Sequence, residues 1–111
     1  IKRGQSVSFA DIEKMSISAR SMVKGSLDCF VRLDSVAAEK ILKMDDDVDD
    51  LKNKVVKNCI EIIKQNPIFT ESCLDLILIA RNLERLGDHA TNIAEDVIFA
   101  FTGKDIRHGA T

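Results

Sequence analysis

The sequence predicts an all-α protein, and its simplest architecture is an antiparallel three-helix bundle. Five Gly and one Pro in 111 residues leave few positions that force a turn, so long uninterrupted elements are expected. Apolar residues make up 45% of the chain, with no Trp or Tyr, which is enough for an aliphatic core. They recur at steps of three, four and seven along three segments, the spacing of a helix face. No segment alternates as a strand would.

The first helix is predicted over residues of about 9–32. Ser8 can cap its start, with Asp11 three residues later as the acidic member of a capping box. An apolar stripe at helical spacing follows and marks the face that turns towards the core. The stripe consists of Ile12, Ala19, Val23, Ser26, Phe30 and Leu33.

The second helix is predicted over residues of about 35–65. Asp34 or Ser35 is a good N-cap residue, because its side chain can accept a hydrogen bond from a backbone N–H of the first turn. Pro67 ends the helix, since it cannot continue the hydrogen-bonded ladder and it biases Asn66 towards extended backbone. The apolar face is a heptad-like seam of Ile41, Met44, Val48, Leu51, Val55 and Ile62.

The third helix is predicted over residues of about 68–102, with Gly103 placed to terminate it. Short links join the helices, so each must run antiparallel to the one before it. The whole chain, 1–111, is therefore predicted to be one domain. The apolar seam of the third helix is Ile79, Leu83, Leu86, Ala90, Ile93, Val97 and Phe101.

One side of the third helix carries charged and amide groups. At 100° per residue they fall within about 80° of arc, roughly 150° from the apolar seam, so we expect this face to point away from the bundle. Glu84 and Asp88 lie one turn apart, where two negative charges repel by a few tenths of a kcal/mol. The full row is Arg81, Glu84, Asp88, Asn92 and Glu95.

A row of small residues lies between the apolar seam and this charged face. Ala80, Gly87 and Ala94 repeat every seven residues, and small side chains in a row let a neighbouring helix come close. Gly87 in the middle of a helix costs about 1 kcal/mol relative to Ala, so a packing reason for it is expected.

The second helix contains the acidic run MDDDVDD, in which Asp45 and Asp49 lie one turn apart on a shoulder of the helix. If the second and third helices are neighbours, this shoulder leans towards Glu84 and Asp88. Four carboxylates would then share one surface. Hard or borderline cations neutralise such a cluster, so the spacing suggests a metal site.

The same residues also allow an ordinary solvated surface. Arg81 with Glu84, and Arg85 with Asp88, are pairs three residues apart that stabilise an exposed helix face. The acidic run could then serve solubility alone. An EF-hand is excluded, because Asp50 stands where its turn glycine is needed and Val56 where its bidentate glutamate is needed.

Several classes of protein are disfavoured. A formal charge of −2 with interspersed basic residues argues against a nucleic-acid partner. No apolar run is long enough for a membrane span, and no signal peptide is visible. No catalytic Ser–His–Asp or Cys–His set and no glycine-rich phosphate loop can be found, so no catalytic residues are predicted. Three widely spaced cysteines are typical of reduced thiols in a cytoplasmic protein, buried as small apolar residues: Cys29, Cys59 and Cys73.

The segment ARNLERLGDHATNIAED, Ala80 to Asp96, resembles the third-helix signature of the PhoU family, bacterial accessory proteins of phosphate uptake and signalling. The run MDDDVDD resembles the acidic motif of that family's second helix. TGKDIRH, Thr102 to His108, resembles the tail that closes its second repeat. The resemblance extends over nearly the whole chain from about Phe9, although the first helix matches only in its apolar pattern.

The resemblance implies a fold and a metal site. PhoU-like proteins consist of two tandem three-helix bundles, and in some members outer-face carboxylates hold iron or zinc. Carried over by position, the ligands are Asp45, Asp49, Glu84 and Asp88, while manganese and magnesium stay open as alternatives. The register Asp46 with Asp50 is also open, and Arg81, Asn92 and Glu95 would extend the face. One repeat is seen, so the chain is either the C-terminal half of a longer protein, which the tail favours, or a single repeat that pairs with itself.

The resemblance also implies a function. The chain would be a non-catalytic adaptor between the ATPase of a phosphate ABC transporter and a sensor histidine kinase. It would restrain uptake and phosphate-starvation signalling from the cytoplasm, at most peripheral to the membrane complexes. The alternative is a structural helical-bundle interaction module, with a solvated acidic face and no metal.

Overall fold

The computed structural model describes residues 6–102, and the side chains of residues 10–100. Within these limits the chain is an up-down-up bundle of three long helices without strands, so the all-α three-helix prediction is confirmed. One turn of 3₁₀ helix, Pro67–Phe69, precedes the last helix. The helices are α1 (Ser6–Arg32), α2 (Ser35–Gln65) and α3 (Thr70–Thr102). Gly103 and the tail after Thr102 lie outside the described residues.

The start of α1 differs from the expectation. The helix already begins at Ser6, so Ser8 does not stand at its N-terminus and the predicted capping box is wrong. Asp11 lies inside the helix instead, where it is buried. Its Oδ2 has no hydrogen-bond partner within the part of the chain that the structure describes.

The link between α1 and α2 is a tight turn, stabilised by a backbone hydrogen bond and by a helix N-cap. Leu33 has a φ of 54°, which is the left-handed region, and the N–H of Asp34 donates to the carbonyl of Cys29 at 3.1 Å. Asp34 is the N-cap of α2, one of the two residues expected there. Its Oδ1 accepts a hydrogen bond from the backbone N–H of Ala37 at 3.1 Å.

The link between α2 and α3 depends on proline. The N–H of Asn66 donates to the carbonyl of Ile62 at 2.8 Å and so completes the last turn of α2. Pro67 then starts the 3₁₀ turn, because its missing N–H is not needed at a first helical position. The Thr70 hydroxyl donates to the Pro67 carbonyl at 2.6 Å where α3 begins.

The core runs along the bundle axis, and each helix packs against both others. It is aliphatic with small residues and sulfur-containing side chains, as the composition suggested. Cys29, Cys59 and Cys73 are all buried, as expected. Buried apolar side chains in the described chain are Met15, Ala19, Met22, Cys29, Ala38, Ile41, Val48, Val55, Cys59, Cys73, Leu76, Ala80, Ala90, Ala94 and Val97.

The buried face of α3 is rotated relative to the predicted seam. Ile79 and Leu86 were expected in the core, but they are 44% and 40% exposed. The row of small residues is buried instead, with Ala80 and Ala94 fully inaccessible and Gly87 buried between them. Small side chains let the α3 backbone pack closely against both α1 and α2. This close packing is favoured here over the burial of the larger side chains of Ile79 and Leu86.

Candidate carboxylate cluster between two helices

The rotation of α3 brings its acidic residues against α2. Asp45 of α2 leans over α3 at Gly87, where a Cβ atom would lie 3.3 Å from Asp45 Oδ1 and 3.6 Å from Met22 Sδ. The 3.3 Å distance to Asp45 is shorter than the great majority of real Cβ contacts, while the distance to Met22 is an ordinary van der Waals contact. Gly87 therefore gives Asp45 the space to stand partly buried between the two helices, which is the packing reason that the sequence left open.

Glu84 does not point away from the bundle. Its side chain is 27% exposed, and its Oε2 lies 3.7 Å from Nζ of Lys52, a residue of α2 that is equally sheltered. The outward direction expected for Glu84 is therefore wrong. The physical reason is the rotated core of α3, because Glu84 sits beside the small-residue row and so faces the neighbouring helix.

The acidic side chains of the two helices influence one another. Burial, followed by the charges of Asp88, Asp49 and Asp46, raises the pKa of Asp45 above its ordinary value. A hydrogen bond with Asp49 and partial burial raise the pKa of Glu84, and the ammonium of Lys52 opposes this. Both carboxylates are thus held where a negative charge is unfavourable, and Lys52 does not fully compensate.

Asp45 and Asp49 of α2 lie near Glu84 and Asp88 of α3, close enough for their charges to interact, and we call these four residues the carboxylate cluster. Asp49 and Asp88 are exposed, while Asp45 and Glu84 are partly buried. Of the alternative register, Asp50 borders the groove between α1 and α2, whereas the charge of Asp46 acts on Asp45. Arg81, Asn92 and Glu95 lie exposed along the same helix.

Lys52 is the residue that sequence reasoning missed. It lies seven residues after Asp45, so both belong to one face of α2. This spacing places Lys52 on the correct face of α2, but no pattern along α2 alone shows that it pairs with Glu84 of α3.

The donor atoms fit a cation in type and charge. Carboxylate oxygens are the ligands that hard cations prefer, and the charges of neighbouring aspartates contribute, after burial and a hydrogen bond, to the raised pKa values of Asp45 and Glu84. The positions of these side chains fit a metal site less well. As the side chains stand, no three His, Cys, Asp or Glu residues between 10 and 100 are gathered closely enough to hold a metal ion.

A second concave surface lies on the other side of α2. It is a groove of about 460 Å³ between α1 and α2, lined by acidic, basic and apolar side chains. It shares no residue with the carboxylate cluster. The lining residues are Lys14, Ile17, Ser18, Asp47, Asp50, Leu51 and Lys54.

The fold and the cluster describe an all-α helical-bundle protein with carboxylates from two helices on one surface. A comparison with protein families identifies the family. Residues 12–97 match the model of the PhoU domain, which includes both acidic segments. The chain belongs to the PhoU family, and the resemblance seen in the sequence is confirmed.

Curated relatives support the same assignment. The chain is 37% identical over 97 residues to the phosphate-specific transport system accessory protein PhoU homolog 1 of Thermotoga maritima, covering 87% of the chain and 42% of the relative. It is 40% identical over 85 residues to the PhoU homolog of Zymomonas mobilis, covering 77% of the chain and 36% of the relative. The PhoU homolog of Pseudomonas aeruginosa is 32% identical over 100 residues, covering 90% of the chain and 41% of that protein.

The chain therefore spans less than half the length of these relatives. No solved structure matches it significantly. Between residues 6 and 102, no helix is both long and apolar enough to cross a membrane.

Proposed function

We propose that the chain acts in the regulation of phosphate uptake, as a non-catalytic accessory module of a phosphate-specific transport system. The observation that carries this proposal is the PhoU-domain match over residues 12–97, together with relatives named as accessory proteins of such systems. In this role the module restrains uptake and starvation signalling when phosphate is plentiful. It works in the cytoplasm, at the periphery of membrane complexes.

The partners that fit this role are the ATPase of the phosphate ABC transporter and a sensor histidine kinase. A rigid helical rod can present different faces to two partners at once. Large apolar side chains are exposed on its surface, and contiguous groups of them are typical of interaction sites. Those on α1 are Ile17, Leu27, Phe30 and Val31. Self-association of two copies is a further use of these faces.

The proposed cation site is the carboxylate cluster of Asp45, Asp49, Glu84 and Asp88. Iron or zinc is expected, and manganese or magnesium is an alternative. A bound cation would neutralise charges that now oppose each other and could accept a ligand from a docking partner. Arg81, Asn92 and Glu95 would shape the rim of that surface.

The regulatory role is tested in a bacterium whose own PhoU-family gene has been deleted, with a reporter for phosphate-starvation genes. The chain is expected to return the reporter to its repressed level in high phosphate. The variant Glu84→Ala/Asp88→Ala is expected to lose repression while circular dichroism shows unchanged helical content. A reporter that stays active with the well-folded parent chain would contradict the proposal.

The second candidate, a structural module without metal, is favoured by one observation. Lys52 already places a positive charge 3.7 Å from Glu84. Elemental analysis of protein purified without a histidine tag separates the two candidates. Stoichiometric metal in the parent, lost in Glu84→Ala/Asp88→Ala, supports the cation site; no metal in either favours the structural module.

A further inference from the structure

We propose that the side of the bundle between α1 and α3 is the interface through which two copies of this chain form a dimer. The inference goes beyond the proposed function, because it concerns assembly and requires neither phosphate nor a metal. We call this side the α1–α3 face. Its apolar side chains are Val23, Leu27, Phe30, Ile79, Leu86 and Ile93.

The order of residues around α1 locates the first half of the face. A Cβ atom at Gly25 would lie 2.7 Å from Ile41 Cδ1, so this flank of α1 faces α2. Met22 follows around the helix and is fully buried in the core. The three α1 members of the face come next, about 140–160° from Gly25. They therefore lie on the flank of α1 that borders α3.

The same order holds on α3. Glu84 marks the flank that faces α2, since it pairs with Lys52. Ala80 and Ala94 follow around the helix and are fully buried. The three α3 members of the face lie about 140–180° from Glu84, on the flank that borders α1. The two apolar flanks therefore meet in one continuous surface.

The α1–α3 face differs from the other two sides of the bundle in charge. The α1–α2 side is lined by Lys14, Asp47, Asp50 and Lys54, and the α2–α3 side carries the carboxylate cluster with Lys52. Over residues 23–30 and 79–93, which the structure describes, no charged residue falls on the two flanks of the α1–α3 face. A contiguous apolar surface of this kind is typical of an interaction site.

The exposure of the face is substantial. Leu27 and Phe30 are 51% and 59% exposed, and Ile79 and Leu86 are 44% and 40% exposed. Contact with water is unfavourable for each of these side chains, and a partner that covers them together removes that cost.

The spacing of the face favours helices of a second copy as the partner. Ile79, Leu86 and Ile93 lie seven residues apart, and so do Val23 and Phe30. This is the repeat with which packed helices interlock their side chains. The α3 repeat is also symmetric about Leu86. A two-fold axis there places Leu86 against its own copy and Ile79 against Ile93 of the second copy, with the two α3 helices antiparallel.

The size of the face suits a dimer. Residues 79–93 span about 21 Å along α3, and two packed helices are about 20 Å wide with their side chains, so the apolar centre covers about 400 Å². The bundle is 56 Å long, which leaves space for a polar rim at both ends of this centre. Centre and rim together approach the roughly 800 Å² that each partner buries in a stable interface.

The relatives provide an independent argument for a second bundle. The 97 matched residues make up only 42% of the Thermotoga maritima relative, so that protein is long enough for another bundle of this size. For the chain described here, a second copy supplies the bundle that covers the face.

The test is sedimentation equilibrium of the chain at concentrations up to about 0.1 mM, where a dimer is expected. Leu86→Glu places two carboxylates against each other on the two-fold axis, and it is expected to raise the dimer dissociation constant about a hundredfold or more. Circular dichroism is expected to show unchanged helical content, because Leu86 is exposed within one copy. Should Leu86→Glu lose helical content, Phe30→Glu tests the same face from α1.

The matched control is Leu74→Glu. Leu74 belongs to the same helix and is 51% exposed, but it lies about 120° around α3 from Leu86. The control is expected to form the dimer with the dissociation constant of the parent.

A second experiment tests the two-fold axis directly. Under mild oxidation, Leu86→Cys is expected to form a disulfide with its own copy, and Leu74→Cys is expected to form none. The parent is the control for its three native cysteines, which are buried.

Each contrary outcome is decisive. A parent that stays monomeric overturns the proposal and leaves the face to a different protein. A dimer that Leu86→Glu and Leu74→Glu weaken equally, or that only Leu74→Glu weakens, overturns the choice of face. A dimer in which Leu86→Cys forms no disulfide overturns the antiparallel arrangement. Because the reporter measures repression by the chain, the accessory function is decided separately from these results.

Discussion

The two sides of α2 use the same acidic run in opposite ways. On the side facing α3, Asp45 and Asp49 meet Glu84 and Asp88, and Lys52 is the positive charge seen to pair there. On the side facing α1, the groove is lined by both acidic and basic side chains, which are Asp47, Asp50, Lys14 and Lys54. The comparison shows that one acidic run contributes residues to two surfaces of a helix. The side chains of the neighbouring helix decide on which surface negative charge accumulates.

Two glycines at helix contacts, half-buried Gly25 and buried Gly87, show a similar difference. A Cβ atom at Gly25 would lie 2.7 Å from Ile41 Cδ1, the mobile end of an apolar side chain. A Cβ atom at Gly87 would meet a carboxylate oxygen of Asp45 and the sulfur of Met22. The end of the Ile41 side chain can move to another position at little cost. The partly buried carboxylate of Asp45 cannot move as easily, because it would lose its remaining contact with solvent.

The largest expected effect is on Gly87. Gly87→Val is expected to lower the free energy of unfolding by about 1–3 kcal/mol, because its side chain overpacks the contact with Asp45 and Met22. Urea denaturation measures it. The matched substitution is Gly25→Ala, which is expected to change stability by less than about 1 kcal/mol, since the gain in helix propensity offsets the displacement of Ile41. Similar losses at both glycines would contradict the distinction between the two contacts.

The next effect lies in the link between α1 and α2. Leu33→Gly is expected to raise the free energy of unfolding by about 0.5–1 kcal/mol, because φ is 54° at this residue and glycine adopts that region without the strain of a Cβ atom. Thermal denaturation measures the gain. A loss of stability would show that the exposed Leu33 side chain contributes more through packing than its backbone costs.

A smaller effect is expected from the charge of Asp45. Asp45→Asn is expected to raise stability at pH 7 by roughly 0.5 kcal/mol, since it removes a partly buried charge that three neighbouring aspartates oppose. Asp50→Asn, on the other side of α2, is the control and is expected to give no gain. Equal gains from both substitutions would mean that net charge, and not the cluster, is responsible.

The pH dependence gives the smallest but most specific effect. The pKa values of Asp45 and Glu84 are raised in the folded protein, so the folded state binds their protons more tightly than the unfolded state does. Their contribution to stability is present below the unfolded pKa values, at about pH 4, and is lost as the pH rises through the folded ones. The advantage of Asp45→Asn/Glu84→Gln over the parent should therefore grow from pH 4 to pH 7. A constant difference in urea midpoints across this range would contradict the assignment.

Most of the fold could be predicted from local sequence signals. Asp34 supplies the N-cap of α2, and Pro67 with Asn66 sets its end, because these residues act through bonds to their immediate neighbours. The start of α1 was wrong, since a favourable cap at Ser8 does not prevent the helix from extending to Ser6. The family assignment also needed only the sequence, as its motifs are contiguous within helices.

The details of the candidate site could be predicted only in part. Asp45, Asp49, Glu84 and Asp88 were singled out by spacing, and the structure places them on facing sides of α2 and α3. Their role as metal ligands remains a prediction. Lys52 was missed because its importance depends on a residue of another helix, and no pattern along α2 alone distinguishes it from the other lysines.

By itself, the sequence determined three helices, their ends around Asp34 and Pro67, and membership of the PhoU family. These depend on interactions over one or two helical turns, which residue types encode directly. Only the tertiary structure decided which face of α3 is buried. The buried face keeps Ala90 and Val97 of the predicted seam, but it buries Ala80, Gly87 and Ala94 in place of Ile79 and Leu86, because small side chains allow close contact with α1 and α2 together. That rotation turned Glu84 from an outward carboxylate into the partner of Lys52.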